Sequence, residues 1–318
     1  MDPLSEVLRS IRLTGGVFLD SHFTAPWSVF AKLNADDCRF VLAEPIQIIA
    51  YHFIVDGNLY VSTGDEPPIK VRAGEVVLLP RNDPHTLSST PDLAPTNARD
   101  LIQPDANGGL PGIIHGGGGE PAHVVCGFLA GETLYNPLIE SLPRILTLDV
   151  QQGASRDWIE ASLRFAADEL RKGHFATSSV MSRLSELLLV ESVRNYASTL
   201  GEHETGWLKG VADPQIGRAL ALMHRDTRSP WSAETLAKEV ALSRTTFMNR
   251  FTALVGMPPI RYLTVWRLQA ARSTLRETRM TIAQLAHSVG YESEEAFSRA
   301  FKREFGVSPA RWRDQQNA

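Results

Sequence analysis

A segment near the C-terminus occurs twice, and that repetition limits the folds open to this chain more than any other property of it. Residues Leu236–Pro259 read LAKEVALSRTTFMNRFTALVGMPP, and Leu285–Pro309 read LAHSVGYESEEAFSRAFKREFGVSP. Each copy opens with Leu-Ala and has Val four places after the Leu. Each continues with Phe-x3-Phe, at Phe247/Phe251 and Phe297/Phe301, and closes with Gly256/Pro259 or Gly306/Pro309. The offset is 49 residues before the turn and 50 after it. Two copies at a nearly fixed offset imply two copies of one structural unit.

Each copy reads as helix, tight turn, helix. Ser232 is a good N-cap for Ala233–Val240, with Leu236 and Val240 on one face. Ala241-Leu242 turns the chain, and Ser243 caps a second helix with Phe247, Phe251 and Leu254 inward. Gly256 ends it, and Pro258-Pro259 blocks its continuation. In the second copy Thr281 caps Ile282–Val289, Gly290 supplies the turn, and Ser293 caps a helix with Phe297, Phe301 and Phe305 inward. Two short amphipathic helices joined by such a turn make a helix-turn-helix.

Charge points to the partner. From Ala212 to Ala318 there are 16 Lys+Arg, 14 of them Arg, against 10 Asp+Glu, whereas the remainder carries 16 basic and 26 acidic residues. A basic third on an acidic remainder suggests one module that meets a polyanion. The outward faces of the second helices carry Arg244, Thr245, Met248, Asn249 and Arg250, and then Glu294, Glu295, Ser298, Arg299 and Lys302. Asn pairs bidentately with adenine, Arg with guanine, and Glu accepts from cytosine. Ser243, Arg244, Arg250, Ser293, Lys302 and Arg303 suit phosphate, which positions without specifying. Glu294 and Glu295 would repel phosphate, so they need a base-edge or a solvent-facing role. The plainer reading of all these side chains is a solvated helix face.

Residues 212–318 resemble the DNA-binding domain of the AraC family of transcriptional regulators. The resemblance rests on SAETLAKEVALSRTTFMNRFTALVGMPPIRYLTVWRLQAARSTL and TIAQLAHSVGYESEEAFSRAFKREFGVSPARWR. It implies seven helices, with a long one at about Pro259–Arg276 joining the two units. Their recognition helices would then stand about 34 Å apart, in successive major grooves. It also implies base contacts from Thr245, Met248 and Asn249 and from Glu295 and Arg299. Met248 is an apolar departure from the usual polar residue, suited to a thymine methyl or to no readout. Trp266, Leu268 and Leu275 are expected in the core.

The N-terminal half changes pattern. Ile46–Val55, Leu59–Ser62, Ile69–Arg72 and Glu75–Leu79 are strand-like runs, with Asp56-Gly57-Asn58 as a tight hairpin turn between the first two and a further turn at Ala73-Gly74-Glu75. Short strands with close Gly and Pro turns suggest a barrel or sandwich. YHFIVDGNLYV followed by RAGEVVLLPRNDPHTL resembles a cupin, of the ligand-binding kind that precedes AraC-type DNA-binding domains. APWSV, VVCGFLAGE and NPLIESLP extend the resemblance. Gly74, Pro80 and His85 fall on its second motif, with Asn82 where glycine is usual. The His-x-His pair of the first motif is missing and Ala50 takes the acidic ligand's place, so an enzymatic metal triad is not expected.

His52, His85, His123 and Cys126 are the candidate pocket or metal ligands. Imidazole with thiolate suits Zn2+ or another divalent metal. The alternative is histidines hydrogen-bonded around an organic-ligand pocket, with Cys126 a small buried hydrophobe. No cofactor is required by either reading. Nothing near Cys38 or Cys126 in the sequence depresses a thiol pKa, so a regulatory thiol is not expected. Ser88–Glu120, ending in Gly116–Gly119, lacks the Gly-Lys-Ser/Thr of a phosphate loop and is expected to be one long loop, a lid over the barrel mouth.

Residues 155–200 read as helical. Val180, Leu184, Leu187 and Leu188 form one stripe, and Leu189, Val193, Tyr196 and Leu200 a second. In relatives of this architecture such helices dimerise; packing within one chain is the alternative. Gly201–Pro214 is the expected linker. No apolar run approaches the ~18 residues of a membrane helix, MDPLSEVLRS shows no signal peptide, and two cysteines suit a reducing cytoplasm.

The expected architecture is thus α+β with two domains: a cupin-like β-barrel (1–150), a helical dimerisation segment and linker (151–211), and an all-α double helix-turn-helix domain (212–318). The expected function is that of a cytoplasmic homodimeric regulator that senses a small-molecule effector and binds double-stranded promoter DNA, with RNA polymerase a further candidate partner. Two alternatives stand beside it: a metal-dependent cupin enzyme with a DNA-binding appendage, and an architectural DNA binder with no effector.

Overall fold

The computed structural model describes residues 13–38, 47–104, 111–131, 137–149, 178–201 and 206–316. The chain divides into two compact units, one spanning Arg12–Glu132 and Leu142–Ser198 and the other Thr133–Ser141 and Thr199–Ala318.

The first unit is β-rich. Its strands are β1 (Leu13–Thr24), β2 (Ser28–Ala31), β3 (Gln47–Asp56), β4 (Asn58–Thr63), β5 (Ile69–Arg72), β6 (Glu75–Leu79), β7 (His85–Ser88), β8 (Thr96–Asn97), β9 (Gly112–Gly116), β10 (Pro121–Gly131) and β11 (Leu146–Asp149). They form a six-stranded sheet, β11-β6-β3-β10-β1-β9, and a five-stranded sheet, β5-β4-β7-β2-β8. The cupin-like domain is therefore two sheets and not a closed ring. Leu19, Phe23, Ala50, Ile54, Val77 and Val124 of the first sheet share a core with Val29, Leu59, Val61, Val71 and Leu87 of the second.

The turn at Asp56–Asn58 differs from the hairpin expected there, and the expected turn at Ala73–Glu75 is present. Strands β3 and β4 belong to different sheets, as do β5 and β6. Each turn carries the chain across the sandwich edge, and the two are pinned together by Ala73 N–H to Gly57 O (2.9 Å) and Gly74 N–H to Ile54 O (2.8 Å). The expected long loop is also interrupted. It contains β8, a helical turn at Ala98–Leu101 and β9, while 105–110 lie outside the described residues. Its glycine run is fastened to the end of β1: Gly117 and Gly119 donate to Thr24 O and Ala25 O.

Among its described side chains, helix α1 (Ser178–Thr199) buries one face, Ser185, Leu188, Leu189, Ser192 and Val193. Residues 150–177 and the side chains of Val180 and Leu184 lie outside the described residues. Ser185 Oγ lies 2.9 Å from the hydroxyl of Tyr51, whose ring passes over Gly127 on the neighbouring strand. Leu188, Leu189 and Val193 belong to the expected stripes, while the two buried serines are polar positions that apolar stripes do not mark.

The second unit is helical: α2 (Trp207–Ala212), α3 (Pro214–Arg225), α4 (Ala233–Glu239), α5 (Arg244–Val255), α6 (Pro259–Glu277), α7 (Ile282–Ser288), α8 (Glu294–Phe305) and α9 (Pro309–Gln316). Seven of these follow Asp213. Helix α2 replaces part of the expected linker: Trp207, Leu208 and Val211 are buried, and the Trp207 indole donates to Tyr262 Oη at 2.9 Å. Helix α6 serves both halves. Tyr262 meets Phe251 edge-on at 5.9 Å, while Leu268, Ala271 and Leu275 join Leu285, Phe297 and Phe301 in the second core. Among the described residues no helix is long and apolar enough to cross a membrane.

Candidate nucleic-acid interface and effector site

The two helix-turn-helix units share their local chemistry. Ser232 and Thr281 each form a reciprocal capping box at the start of the first helix. Ser243 accepts from Thr246 N–H at 3.1 Å, and Ser293 from Ala296 N–H at 3.2 Å, so α5 and α8 start alike. Both run for 12 residues and end on a left-handed glycine, Gly256 or Gly306. The turns match as well: Leu242 N–H bonds Ala237 O and Tyr291 N–H bonds Ala286 O, both at 2.9 Å.

With Phe247/Phe251 and Phe297/Phe301 inward, the other faces are set. Arg244, Thr245, Asn249, Glu295, Arg299, Lys302 and Arg303 are exposed; Met248 and Ser293 are half-buried, and Ser243 is exposed at its cap. Glu294 and Glu295 occupy the first turn of α8, where a negative charge complements the helix dipole. Glu295 is held below the ordinary carboxylate range by its own backbone amide, then by Ser293 and Arg299.

Arg250, a candidate for phosphate contact, is engaged within the fold. Its Nε donates to Asp213 Oδ2 at 3.0 Å and its Nη1 to Gln215 Oε1 at 2.9 Å. The other oxygen of Asp213 caps α3 through Gln215 and Ile216 N–H. One carboxylate thus fastens α5 to the start of α3, and the guanidinium is already engaged. Arg267 does a similar task from α6, donating to Thr227 O and Ser229 O at 2.7 Å each.

In the β unit three of the four candidate ligands meet and the fourth, His123, does not. His85 Nδ1 is 3.0 Å from Asp83 O, a contact that fixes its proton on Nδ1. Its bare Nε2 then accepts from His52 Nε2 at 2.8 Å, and His52 Nδ1 accepts the Cys126 thiol at 3.1 Å. Burial holds both imidazoles below their ordinary pKa, so they are neutral. Burial pushes the Cys126 thiol up to about 12 and, with Asp37 beside it, the Cys38 thiol up to about 12 as well. This is a linear relay. The two nitrogens of His52 face opposite ways, so one ion cannot take His85 and Cys126 through it.

His123 lies elsewhere. On β10 it is three residues from Cys126, and alternation puts it on the opposite face of the sheet. It pairs in register with His22 of β1. Its Nε2 is 2.6 Å from Asp20 Oδ1, and the His22 and His123 rings stack at 4.2 Å. A cleft of about 510 Å³ adjoins them, lined also by Thr24, Asp56, Ile114 and His115. Asn82, the departure from the cupin pattern, takes the left-handed conformation at φ 51° that glycine would supply. Its side chain bonds Leu33 N–H and O at 3.3 and 2.7 Å, which rewards asparagine there.

The comparisons agree with this division. A family model described as Cupin matches residues 2–198, and one described as Helix-turn-helix domain matches residues 236–315. The chain is 32% identical over 317 residues to an AraC-like transcription regulator of Streptomyces lividans, with 98% of each chain covered. An AraC-like transcription regulator of Streptomyces antibioticus is 31% identical over 316 residues, again with 98% of each covered. The HTH-type transcriptional regulator AlkR of Acinetobacter baylyi is 27% identical, with 94% of this chain and 98% of AlkR covered. Matched on both sides of its charge divide, and along nearly its whole length by named regulators, the chain belongs to the AraC-like family of DNA-binding transcription regulators and is a regulator rather than an enzyme.

Proposed function

We propose that this regulator reads one promoter site through α5 and α8 together, under the control of a small molecule received by its β unit. Thr245, Met248 and Asn249 from α5 and Glu295 and Arg299 from α8 contact bases. Ser243, Arg244, Ser293, Lys302 and Arg303 contact phosphates. The observation that carries this reading is the matched capping of two 12-residue helices, which turns base-reading side chains outward twice. The effector's polar group meets the His52–His85–Cys126 relay, a chain of neutral donors and acceptors set in an apolar sandwich. Effector binding shifts the protein between two arrangements of differing DNA affinity.

The chain works in the cytoplasm as a homodimer, paired through the helical part of residues 151–211 that lies between the sensor region 1–150 and the DNA-binding region 212–318. It acts on transcription through RNA polymerase at the promoter. DNA recognition requires no cofactor.

The test is site selection from a random double-stranded library at a stated salt concentration, repeated with Asn249→Ala and Arg299→Ala. A defined motif is expected. Each substitution relaxes it at its own positions, at a cost of about 1–3 kcal/mol per lost bidentate contact. Salt-sensitive binding with no enriched motif would refute promoter-specific readout and favour an architectural role.

A further inference from the structure

We propose that Asp20, His22 and His123 bind one divalent transition-metal ion of the zinc type, at a site open to the adjoining cleft. Asp20 and His22 are two apart on β1 and so share a face, and β10 brings His123 directly opposite His22. One donor atom from each residue lies within 4.8 Å of the other two. Asp20 offers Oδ1 at 2.6 Å from His123 Nε2 and Oδ2 at 3.7 Å from His22 Nε2. Donors around a tetrahedral ion with bonds of about 2.0–2.2 Å stand roughly 3.3–3.5 Å apart. The two distances fall on either side of that value, and with all three donors within 4.8 Å of one another, side-chain rotation completes the geometry. The near-parallel imidazoles, 15° between ring planes, present the same nitrogen to the same carboxylate.

Two imidazoles and one carboxylate favour zinc and its neighbours over Mg2+ or Ca2+, which take oxygen ligands. Three protein donors leave coordination positions facing the cleft, where His115 and Asp56 are candidate further donors. A site of that kind accepts water or an anionic small molecule as its remaining ligand, unlike a closed structural zinc site. It is distinct from the His52–His85–Cys126 relay on the opposite face of the sheet, and it does not depend on the DNA-binding reading.

The test uses the full chain without a polyhistidine tag, stripped with a chelator and titrated with Zn2+ by calorimetry and with Co2+ by visible absorption. One equivalent per chain is expected at about micromolar Kd or tighter. The Co2+ spectrum should show ligand-field bands without thiolate charge transfer. His22→Ala, at a side chain 54% exposed and tolerant of truncation, should weaken binding at least about tenfold, and Asp20→Asn should do the same. Folding of each variant is checked by circular dichroism. No uptake by the wild-type chain would overturn the proposal. So would uptake unchanged by His22→Ala in a folded variant, or a thiolate band abolished by Cys126→Ser.

Discussion

Gly290→Ala tests whether the second helix-turn-helix depends on its turn as the geometry requires. Gly290 sits at φ 85°, and an added Cβ would lie 2.7 Å from Thr227 O and 2.8 Å from Arg267 Nη2. A left-handed alanine costs about 1 kcal/mol. The methyl also displaces a guanidinium held by two carbonyl oxygens, and losing one such charged bond costs about 1.5–3 kcal/mol. The smaller conformational freedom of alanine in the unfolded chain returns about 0.4–1 kcal/mol. The net loss is about 2–3 kcal/mol. The first unit provides an internal control, because Ala241 holds the same place in the repeat at φ 55° and is exposed. There Ala241→Gly should gain about 0.5 kcal/mol, the strain relieved slightly exceeding the entropy lost. Urea unfolding followed by tryptophan fluorescence reads both, since Trp207, Trp231, Trp266 and Trp312 all lie in the helical unit. At about 1–3 kcal/mol per molar of urea, Gly290→Ala moves the midpoint down by about 1–2 M. An unchanged midpoint for Gly290→Ala, or an equal loss for Ala241→Gly, refutes the reasoning.

Three further outcomes are expected. Arg250→Ala should lower the stability of the helical unit by about 1 kcal/mol and leave the slope of log K against log salt unchanged, whereas Lys302→Ala should reduce that slope by about 1; a reduced slope for Arg250→Ala would restore it to the phosphate contacts. Burial pushes His224 down to about 3, so the folded unit keeps it neutral while the unfolded chain takes up a proton below about 6.5. Its contribution is whole above that pH and is lost at about 1.4 kcal/mol per unit as pH falls toward 3; His224→Gln, which keeps a partner for the Tyr262 hydroxyl, should flatten the wild-type curve, and parallel curves would count against the burial argument. Gly127→Ala would place a methyl 2.1 Å from Tyr51 Cζ, forcing the ring off Ser185 and costing the β unit about 2–3 kcal/mol in thermal or urea unfolding, while Tyr51→Phe should cost only about 1 kcal/mol.

The helical unit was largely legible from sequence because its signals are local. Ser232, Ser243, Thr281 and Ser293 act within three residues of themselves, and Gly256 and Gly306 end helices by their own backbone conformation. What escaped was non-local. Asp213 was read as the end of a linker, and nothing adjacent in sequence shows that it holds Arg250, 37 residues on. His123 parts from the other three pocket candidates for a different reason. Grouping His123 with Cys126 ignored the two-residue period of a strand, which puts residues three apart on opposite faces. The same period marks Asp20 and His22 as neighbours, but their approach to His123 depends on the register of β1 with β10, set by about a dozen pairings distant in sequence. The serines in the buried face of α1 were invisible to a search for apolar stripes.

Helix α6 sets a phase. It is one uninterrupted helix whose first half packs on the core behind α5 and whose second half packs on the core behind α8. Each residue added between Val265 and Leu268 would turn the later half by about 100° and advance it by about 1.5 Å. One inserted residue therefore swings Leu268, Ala271 and Leu275 away from their core and turns α8 by the same angle relative to α5. Seven residues, close to two turns, nearly restore the aim and add roughly 10 Å of reach. Under the two-helix readout proposed above, the spacing between the two stretches of DNA therefore changes in step with whole turns of α6. Operators for relatives with α6 of equal length should share one spacing even where no base in them is the same.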